Sequence, residues 1–385
     1  MKVSGDWLTR PGTQAVLGMI NRAGYRALCV GGCVRNALLG VPVTDVDIAT
    51  NALPATITHI AEAAGLKAVP TGYAHGTVTV VVDGIGYEVT SFRHDVETFG
   101  RHARVAFATD LAQDAARRDF TMNALYARAD GTVEDPLGGL ADLEARRVRF
   151  VGNPHARIAE DYLRILRFFR FHAQYGDAAG GLDPTALDAC ASHADMLATL
   201  SRERIGAEMR KLLAAADPVP AITAMAQIGV LQTILPGTAT EGLARLVAFE
   251  GRAHGGWLRR LATLGGPDPS EGLRLSRSEA RDLARLRGAI EGNEPPTALG
   301  YRLGRKLGTD ALFARAACRD LDLPARWYAD LARGAAAVFP LRPADLKPPL
   351  SGPALGAALK RAEAYWIAQD FTPDRDALRA LALDA

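Results

Sequence analysis

The sequence predicts an α+β protein, with a small mixed domain in the first third and an extended all-helical remainder. Three observations predict it. Apolar and β-branched runs at 26–30, 77–82 and 86–92 alternate with helical patterns. Beyond about residue 155 strand signals almost vanish, and Ala-, Leu- and Arg-rich helical patterns run to the end. Turn clusters near 176–184, 265–270, 292–297 and 340–353 divide those patterns into bundles. With 385 residues the length favours two or three domains, and a 48% hydrophobic content supplies their cores.

In order along the chain, residues 12–23 form a helical pattern stopped by Gly24. A short strand over 26–30 then runs into Gly31-Gly32-Cys33-Val34-Arg35-Asn36 and a short apolar helix ending at Gly40. A double glycine lets bare backbone approach a phosphate as the chain turns into a helix. Arg35 follows about one turn in, beside whatever the turn holds. Asp45 and Asp47 lie two apart among Val43, Val46 and Ile48, so a strand there projects both carboxylates from one face. Two hard oxygen ligands on one strand suit magnesium, which keeps water and substrate phosphate in its other positions. Each piece alone has a bland reading, as a turn or a helix cap. Their order and short spacing point to phosphoryl or nucleotidyl transfer.

Pro54–Ala64 reads as a helix stopped by Gly65, and 77–82 and 86–92 as a hairpin joined through Asp83-Gly84-Ile85. On its second strand stands Glu88, in a stretch otherwise poor in charge. It either faces the Asp45/Asp47 strand as a third acid, binding metal or helping to deprotonate an attacking hydroxyl, or it faces solvent. Residues 93–105 carry Arg93, His94, Gly100, Arg101, His102 and Arg104 with little apolar periodicity, which predicts a loop.

Arg117-Arg118-Asp119-Phe120-Thr121-Met122-Asn123 places two fixed cations, an acid and two hydrogen-bonding side chains at an expected helix start. The arginines can pair with triphosphate oxygens, while Asp119 or Asn123 can fix a ribose hydroxyl or hold an arginine. A purely structural ion-pair cluster has the same composition. Asp161, Arg164, Arg167 and Arg170 then recur every three residues on one expected helix. Arginine donors beside a carboxylate acceptor can pair with a nucleobase edge, and a solvated face laced with ion pairs is the alternative. Ser201 is a natural cap for the next helix, whose charges brace its neighbours.

The formal net charge is only +2, so an RNA partner would be gripped by local patches. Four cysteines, at 29, 33, 190 and 318, form no metal or disulfide framework, which predicts reduced thiols. Residues 1–10 carry no long apolar run, and no stretch approaches the ~20 apolar residues that span a bilayer. A soluble cytoplasmic protein without a membrane partner is expected; protein partners cannot be read from the sequence.

Together the motifs resemble the class II tRNA nucleotidyltransferase family, the CCA-adding enzymes and the related bacterial poly(A) polymerases. The match runs through Gly31-Gly32-x-Val34-Arg35, Asp45-x-Asp47, Glu88-Val89-Thr90-Ser91-Phe92-Arg93 and Arg117-Arg118-Asp119-Phe120-Thr121-x-Asn123. It continues through Asp135-Pro136 to Gly139, Asp142-Leu143, Glu160-Asp161-x-x-Arg164-x-x-Arg167 and Glu203-Arg204-Ile205. The resemblance implies a polymerase-beta-like head over 1–145, a helical neck over 146–215, a helical body over 216–292 and a helical tRNA-binding tail over 293–385. It implies that Asp45 and Asp47 hold two Mg2+ ions while a tRNA 3′-hydroxyl attacks the α-phosphate of CTP or ATP and expels pyrophosphate, without a template. It further implies that Gly31, Gly32, Arg35, Arg117 and Arg118 contact the nucleotide and that Asp161 with Arg164 reads the base. Addition of CCA is the leading expectation; poly(A) synthesis and addition of only CC or only A share the same head. A noncatalytic RNA-binding relative would lack the acid pair, and a small-molecule nucleotidyltransferase would leave the helical half unexplained.

One departure stands out. The family usually has aspartate where this chain has Asn36, which keeps an acceptor and loses a charge.

Overall fold

The computed structural model describes residues 1–99, 102–251 and 256–384, and the chain divides into two compact units, Met1–Ile234 and Leu235–Ala385. The first unit begins with helices α1 (Asp6–Thr9) and α2 (Pro11–Arg22). Then come strand β1 (Ala27–Val30), helix α3 (Gly32–Leu38), strand β2 (Asp47–Thr50) and helix α4 (Pro54–Ala63). Strands β3 (Lys67–Gly72), β4 (Thr77–Val82) and β5 (Ile85–Ser91) follow, then β6 (Arg93–Phe99) and β7 (His102–Phe107). Helix α5 (Leu111–Ala116), strands β8 (Tyr126–Ala127) and β9 (Val133–Glu134) and helix α6 (Gly139–Glu144) complete the mixed part.

Seven strands form one sheet in the order β3-β4-β5-β2-β1-β8-β9. Every neighbouring pair is antiparallel except β2 and β5, which run parallel with Asp47 opposite Glu88. Alternation along the strands sends Ile48, Val89, Val78 and Val80 to one face, where they are fully buried. The opposite face carries Asp47, Glu88 and Thr79. At its other end that face is covered by a cluster of Leu28, Val30, Ala49, Phe92, Leu111 and Ala115. Apolar packing therefore closes part of the face and leaves the acidic part open. The β4–β5 turn uses Asp83 and Gly84, both with positive φ, as a two-residue hairpin demands.

Two expectations need correction. Strand β2 starts at Asp47, so Asp45 lies just before it: β1 pairs only as far as Cys29 opposite Ile48, because Gly31 turns the chain away and leaves earlier residues without a ladder partner. The segment read as a loop at 93–105 is the antiparallel hairpin β6–β7, with a register shift between Asp95 and Glu97. Gly100 and Arg101, named in that reading, lie outside the described residues.

The helical part of the first unit contains α7 (Pro154–Glu160), α8 (Leu163–Tyr175), α9 (Pro184–Ser192), α10 (Arg202–Leu213), α11 (Val219–Gln227) and α12 (Val230–Ile234). Phe120 and Phe150 pack against Phe168 and Phe171 of α8 with ring centroids 4.8–6.5 Å apart, which seats α8 on the segment after α5. The second unit is helical among the described residues: α13 (Glu241–Glu250), α14 (Trp257–Thr263), α15 (Arg277–Glu291), α16 (Pro296–Arg319), α17 (Trp327–Ala336), α18 (Gly352–Ala368) and α19 (Arg375–Leu383). Helix α16 is kinked at Gly304. A core of Leu341, Leu346, Leu355, Trp366 and Leu378 packs α18 and α19 together. Helix α18 begins at Gly352. No helix among the described residues is long and apolar enough to cross a membrane.

Candidate active site

Gly31 has φ 72° and ψ −118°, a conformation closed to residues with a side chain without strain, and it turns β1 directly into α3. Its amide donates to the Leu125 carbonyl at 3.1 Å. A Cβ at Gly31 would stand 3.4 Å from Arg118 Nη1, and one at Gly32 3.8 Å from Arg35 Nη2, so two cations flank the turn. The glycine turn is therefore present, with a guanidinium near each glycine.

Asp47 and Glu88 stand side by side on the open face of the sheet, where the parallel register places them. Burial, and then the neighbouring Glu88, hold the Asp47 carboxyl above its ordinary value, with Arg118 opposing and Asp45 adding to the effect. Glu88 and Asp45 thus both act on Asp47, and Glu88 lies on the Asp47 side of the sheet. Asp45 is exposed and accepts a hydrogen bond from Thr44 Oγ1 at 2.9 Å. Among the described residues no group of three His, Cys, Asp or Glu side chains is placed to hold a metal ion. The donor set suits a cation that takes one or two carboxylates and completes its shell with water and substrate phosphate, as Mg2+ does.

Arg117 and Arg118 follow the end of α5 rather than starting a helix, because Arg117 is its C-cap. Both pair with Asp114, Arg117 Nε at 2.8 Å and Arg118 Nη2 at 3.1 Å. Tyr126 completes the group: its hydroxyl donates to Asp114 at 2.7 Å and accepts from Arg118 Nε at 3.0 Å. Burial raises the Asp114 carboxyl, but Arg118, Arg117 and Tyr126 outweigh it and hold the group below its ordinary value. Arg118 lies at the glycine turn. Arg117 instead lines a cavity of about 340 Å³ with His94, Gln113, Arg157 and Glu160.

Asp119 is buried and does hold an arginine. It binds Arg167 Nε at 2.8 Å, with Nη2 also in contact, and accepts from Asn123 Nδ2 at 2.9 Å and from the Phe120 amide at 2.9 Å. Burial pushes this carboxyl up, yet Arg167 and those hydrogen bonds bring it down to about 2. Asn123 in turn accepts from Arg35 Nη1, so Arg35, Asn123, Asp119 and Arg167 form a continuous chain from α3 to α8.

The neck residues divide by partner. Asp161 sits in the break between α7 and α8 with φ −157°, not on one helix with the arginines, and it pairs with Arg204 at 2.6 Å. Arg164 is held by Glu160 and by the Arg157 carbonyl. Arg170 is buried, binds Glu208 at 2.5 Å and Gln174 at 3.0 Å, and braces α8 against α10. The bracing expected of α10 is thus present, although Ser201 makes no side-chain cap.

Sequence reasoning missed Asp114, Tyr126 and Tyr175. Tyr175 accepts from Arg35 Nη2 at 2.9 Å while its ring lies 4.1 Å under the same guanidinium. Its signal was present, since Arg167, Phe171 and Tyr175 follow at four-residue steps along α8. Asp114 likewise precedes Arg117 and Arg118 by three and four residues.

Comparison with known proteins agrees with this geometry. Residues 27–149 match the family described as the poly A polymerase head domain, and residues 181–241 one described as a probable RNA and SrmB-binding site of polymerase A. A CCA-adding enzyme from Lacticaseibacillus paracasei is 46% identical over 215 residues, 54% of this chain and 52% of that protein. The human mitochondrial CCA tRNA nucleotidyltransferase 1 is 41% identical over 203 residues, 52% of this chain and 47% of its own. The chain thus spans about half the length of the curated relatives it matches. The structure of the Bacillus stearothermophilus CCA-adding enzyme in complex with CTP aligns with a TM-score of 0.74 and 30% identity, covering 97% of this chain and 98% of that one. A glycine turn flanked by arginines, acids side by side on a parallel strand pair, and likeness along nearly the whole chain agree: it belongs to the family of CCA-adding enzymes and bacterial poly(A) polymerases, the class II tRNA nucleotidyltransferases.

Proposed function

We propose that this protein adds C, C and A to the 3′ end of tRNA from CTP and ATP, without a nucleic acid template and with release of pyrophosphate. The observation that carries the reading is the register of β2 and β5, which brings Asp47 beside Glu88 next to the Gly31 turn. Gly31 and Gly32 offer backbone to the triphosphate, and Arg35 and Arg118 supply charge on either side. Asp45 and Asp47 would hold Mg2+, which supplies charge neutralisation at the phosphates and lowers the pKa of the attacking hydroxyl. Glu88, beside Asp47, can take up the proton of that hydroxyl.

Asp119 and Asn123 orient Arg35 and Arg167, and Asp161 with Arg164 presents acceptor and donors to the base. Arg117 belongs to the wall beside His94 and Arg157, and Arg170 braces the neck. The division into head (1–145), neck (146–215), body (216–292) and tail (293–385), with the tail gripping tRNA, belongs to the same proposal, as does a cytoplasmic location consistent with four free thiols.

The test is incubation of the full chain with tRNA lacking its terminal triplet, Mg2+, CTP and ATP. Restoration of CCA followed by a stop is expected. Long adenosine tails from ATP alone would make it a poly(A) polymerase, addition of only CC or only A a partial enzyme, and tRNA binding without Mg2+-dependent incorporation a noncatalytic relative.

A further inference from the structure

Arg35 is a buried cation with an unusual set of partners. Its residue is 6% exposed, and its four hydrogen bonds go to Asn36 Oδ1 from Nε at 3.2 Å and Nη2 at 2.9 Å, to Tyr175 Oη, and to Asn123 Oδ1. All are neutral. The rings of Tyr175 and Phe171 lie 4.1 and 5.1 Å from the guanidinium carbon. Among the described residues no carboxylate touches it. Asp119 acts on it from beyond Asn123, and burial is the largest influence lowering its basicity. A buried charge held by neutral groups is not cancelled in the empty site and keeps its full attraction for an anion.

Asn36 has a second contact. Its Nδ2 donates to the Pro42 carbonyl at 3.1 Å, and its own carbonyl accepts from the Val41 amide at 2.9 Å. Residues 39–46 form the connection from α3 to Asp45 and β2, so one amide side chain touches both the arginine and the segment that delivers the first acid. A carboxylate could accept from Arg35 but could not donate to Pro42, where two acceptors would then face each other.

We propose that Asn36 is a positioning residue of the nucleotide site: its oxygen aligns Arg35 without cancelling the guanidinium charge, and its nitrogen ties that arginine to the Asp45 segment. The inference rests on the nucleotidyltransferase reading and adds a specificity to it. An aspartate at 36, the residue the family usually has, would lower triphosphate attraction at this turn without abolishing it.

The test compares the full chain with Asn36→Asp and Asn36→Ala. CTP affinity is measured by calorimetry in EDTA, and backbone hydrogen exchange is followed at Val41, whose amide donates to the Asn36 main-chain carbonyl, with melting temperature as a control. Asn36→Asp should weaken CTP about tenfold because the new charge neutralises Arg35, whereas Asn36→Ala should weaken it no more than about threefold. Both should exchange faster at Val41, since both lose the donor to Pro42 that holds this segment. Equal CTP loss in both variants overturns the charge argument, and unchanged exchange in both overturns the tether. A purely structural residue would lower both melting temperatures and leave CTP affinity alone. Should the unsubstituted chain fail to bind CTP, the nucleotide reading fails by itself, and the exchange comparison still decides the tether.

Discussion

Replacing Asp119 with asparagine removes the charge that holds Arg167 while leaving the shape nearly unchanged. Its carboxyl lies at about 2 in the folded protein against an ordinary 3.8. That displacement corresponds to about 2.5 kcal/mol favouring the folded state at neutral pH. A second route gives a similar figure: breaking a buried ion pair costs roughly 3–5 kcal/mol, and the lower end applies because the Arg167 side chain is 31% exposed. For a depressed carboxyl the stabilisation is present above the unfolded value and is lost as pH falls through the folded one. The difference between the two proteins should therefore narrow to about 1.3 kcal/mol at pH 3. Trp7 is the only tryptophan in the first unit, so with Trp257, Trp327 and Trp366 replaced by Phe its fluorescence reports urea unfolding of that unit. A difference below about 0.5 kcal/mol at pH 7, or one that stays constant down to pH 3, would refute the coupling of Asp119 to Arg167.

Gly31→Ala should cost about 1–3 kcal/mol and lower the melting temperature of the first unit by roughly 5 °C, through backbone strain alone. The added Cβ meets nothing closer than 3.4 Å, so a change under 1 °C in a thermal scan would show that the turn relaxes freely. Glu208→Ala leaves Arg170 buried and unpaired and should cost about 3 kcal/mol, whereas Arg170→Met with Glu208→Leu should recover most of it in the same denaturation assay. Glu88→Gln removes a charge that helps hold the Asp47 carboxyl above its ordinary value, so the acid limb of the residual incorporation rate should move to lower pH, and an unmoved limb would separate the two groups.

The helices and their ends were legible because glycines with positive φ, at 24, 40 and 65, stop them and nothing in the tertiary structure overrides that. The glycine turn and the alternation of Val46, Asp47 and Ile48 were legible for the same local reason. What failed was non-local. The start of β2 depends on where β1 runs out of partners, and the β6–β7 hairpin on pairing across a turn, neither of which a short charged stretch reveals. The three-residue spacing from Asp161 to Arg170 suggested one stripe because spacing cannot show the helix break at Asp161. Arg170 entered the candidate set on charge alone; its commitment to Glu208, 38 residues away, is a matter of how α8 meets α10.

On the proposed function, that division of the arginines would let a chain of net charge +2 attract a triphosphate. The basic cluster in the sequence is mostly spent internally: Arg117 and Arg118 on Asp114, Arg147 and Arg149 on Asp142, Arg157 and Arg164 on Glu160, Arg167 on Asp119, Arg170 on Glu208. Each pair fixes geometry and weakens the field that reaches a ligand. Arg35 differs, because its hydrogen-bond partners leave its charge intact. It would therefore contribute more attraction per residue than its outnumbering neighbours, while the paired arginines would decide where a bound nucleotide can lie. A site built this way gains affinity from the absence of a counterion and selectivity from the rigidity of the paired cations around it.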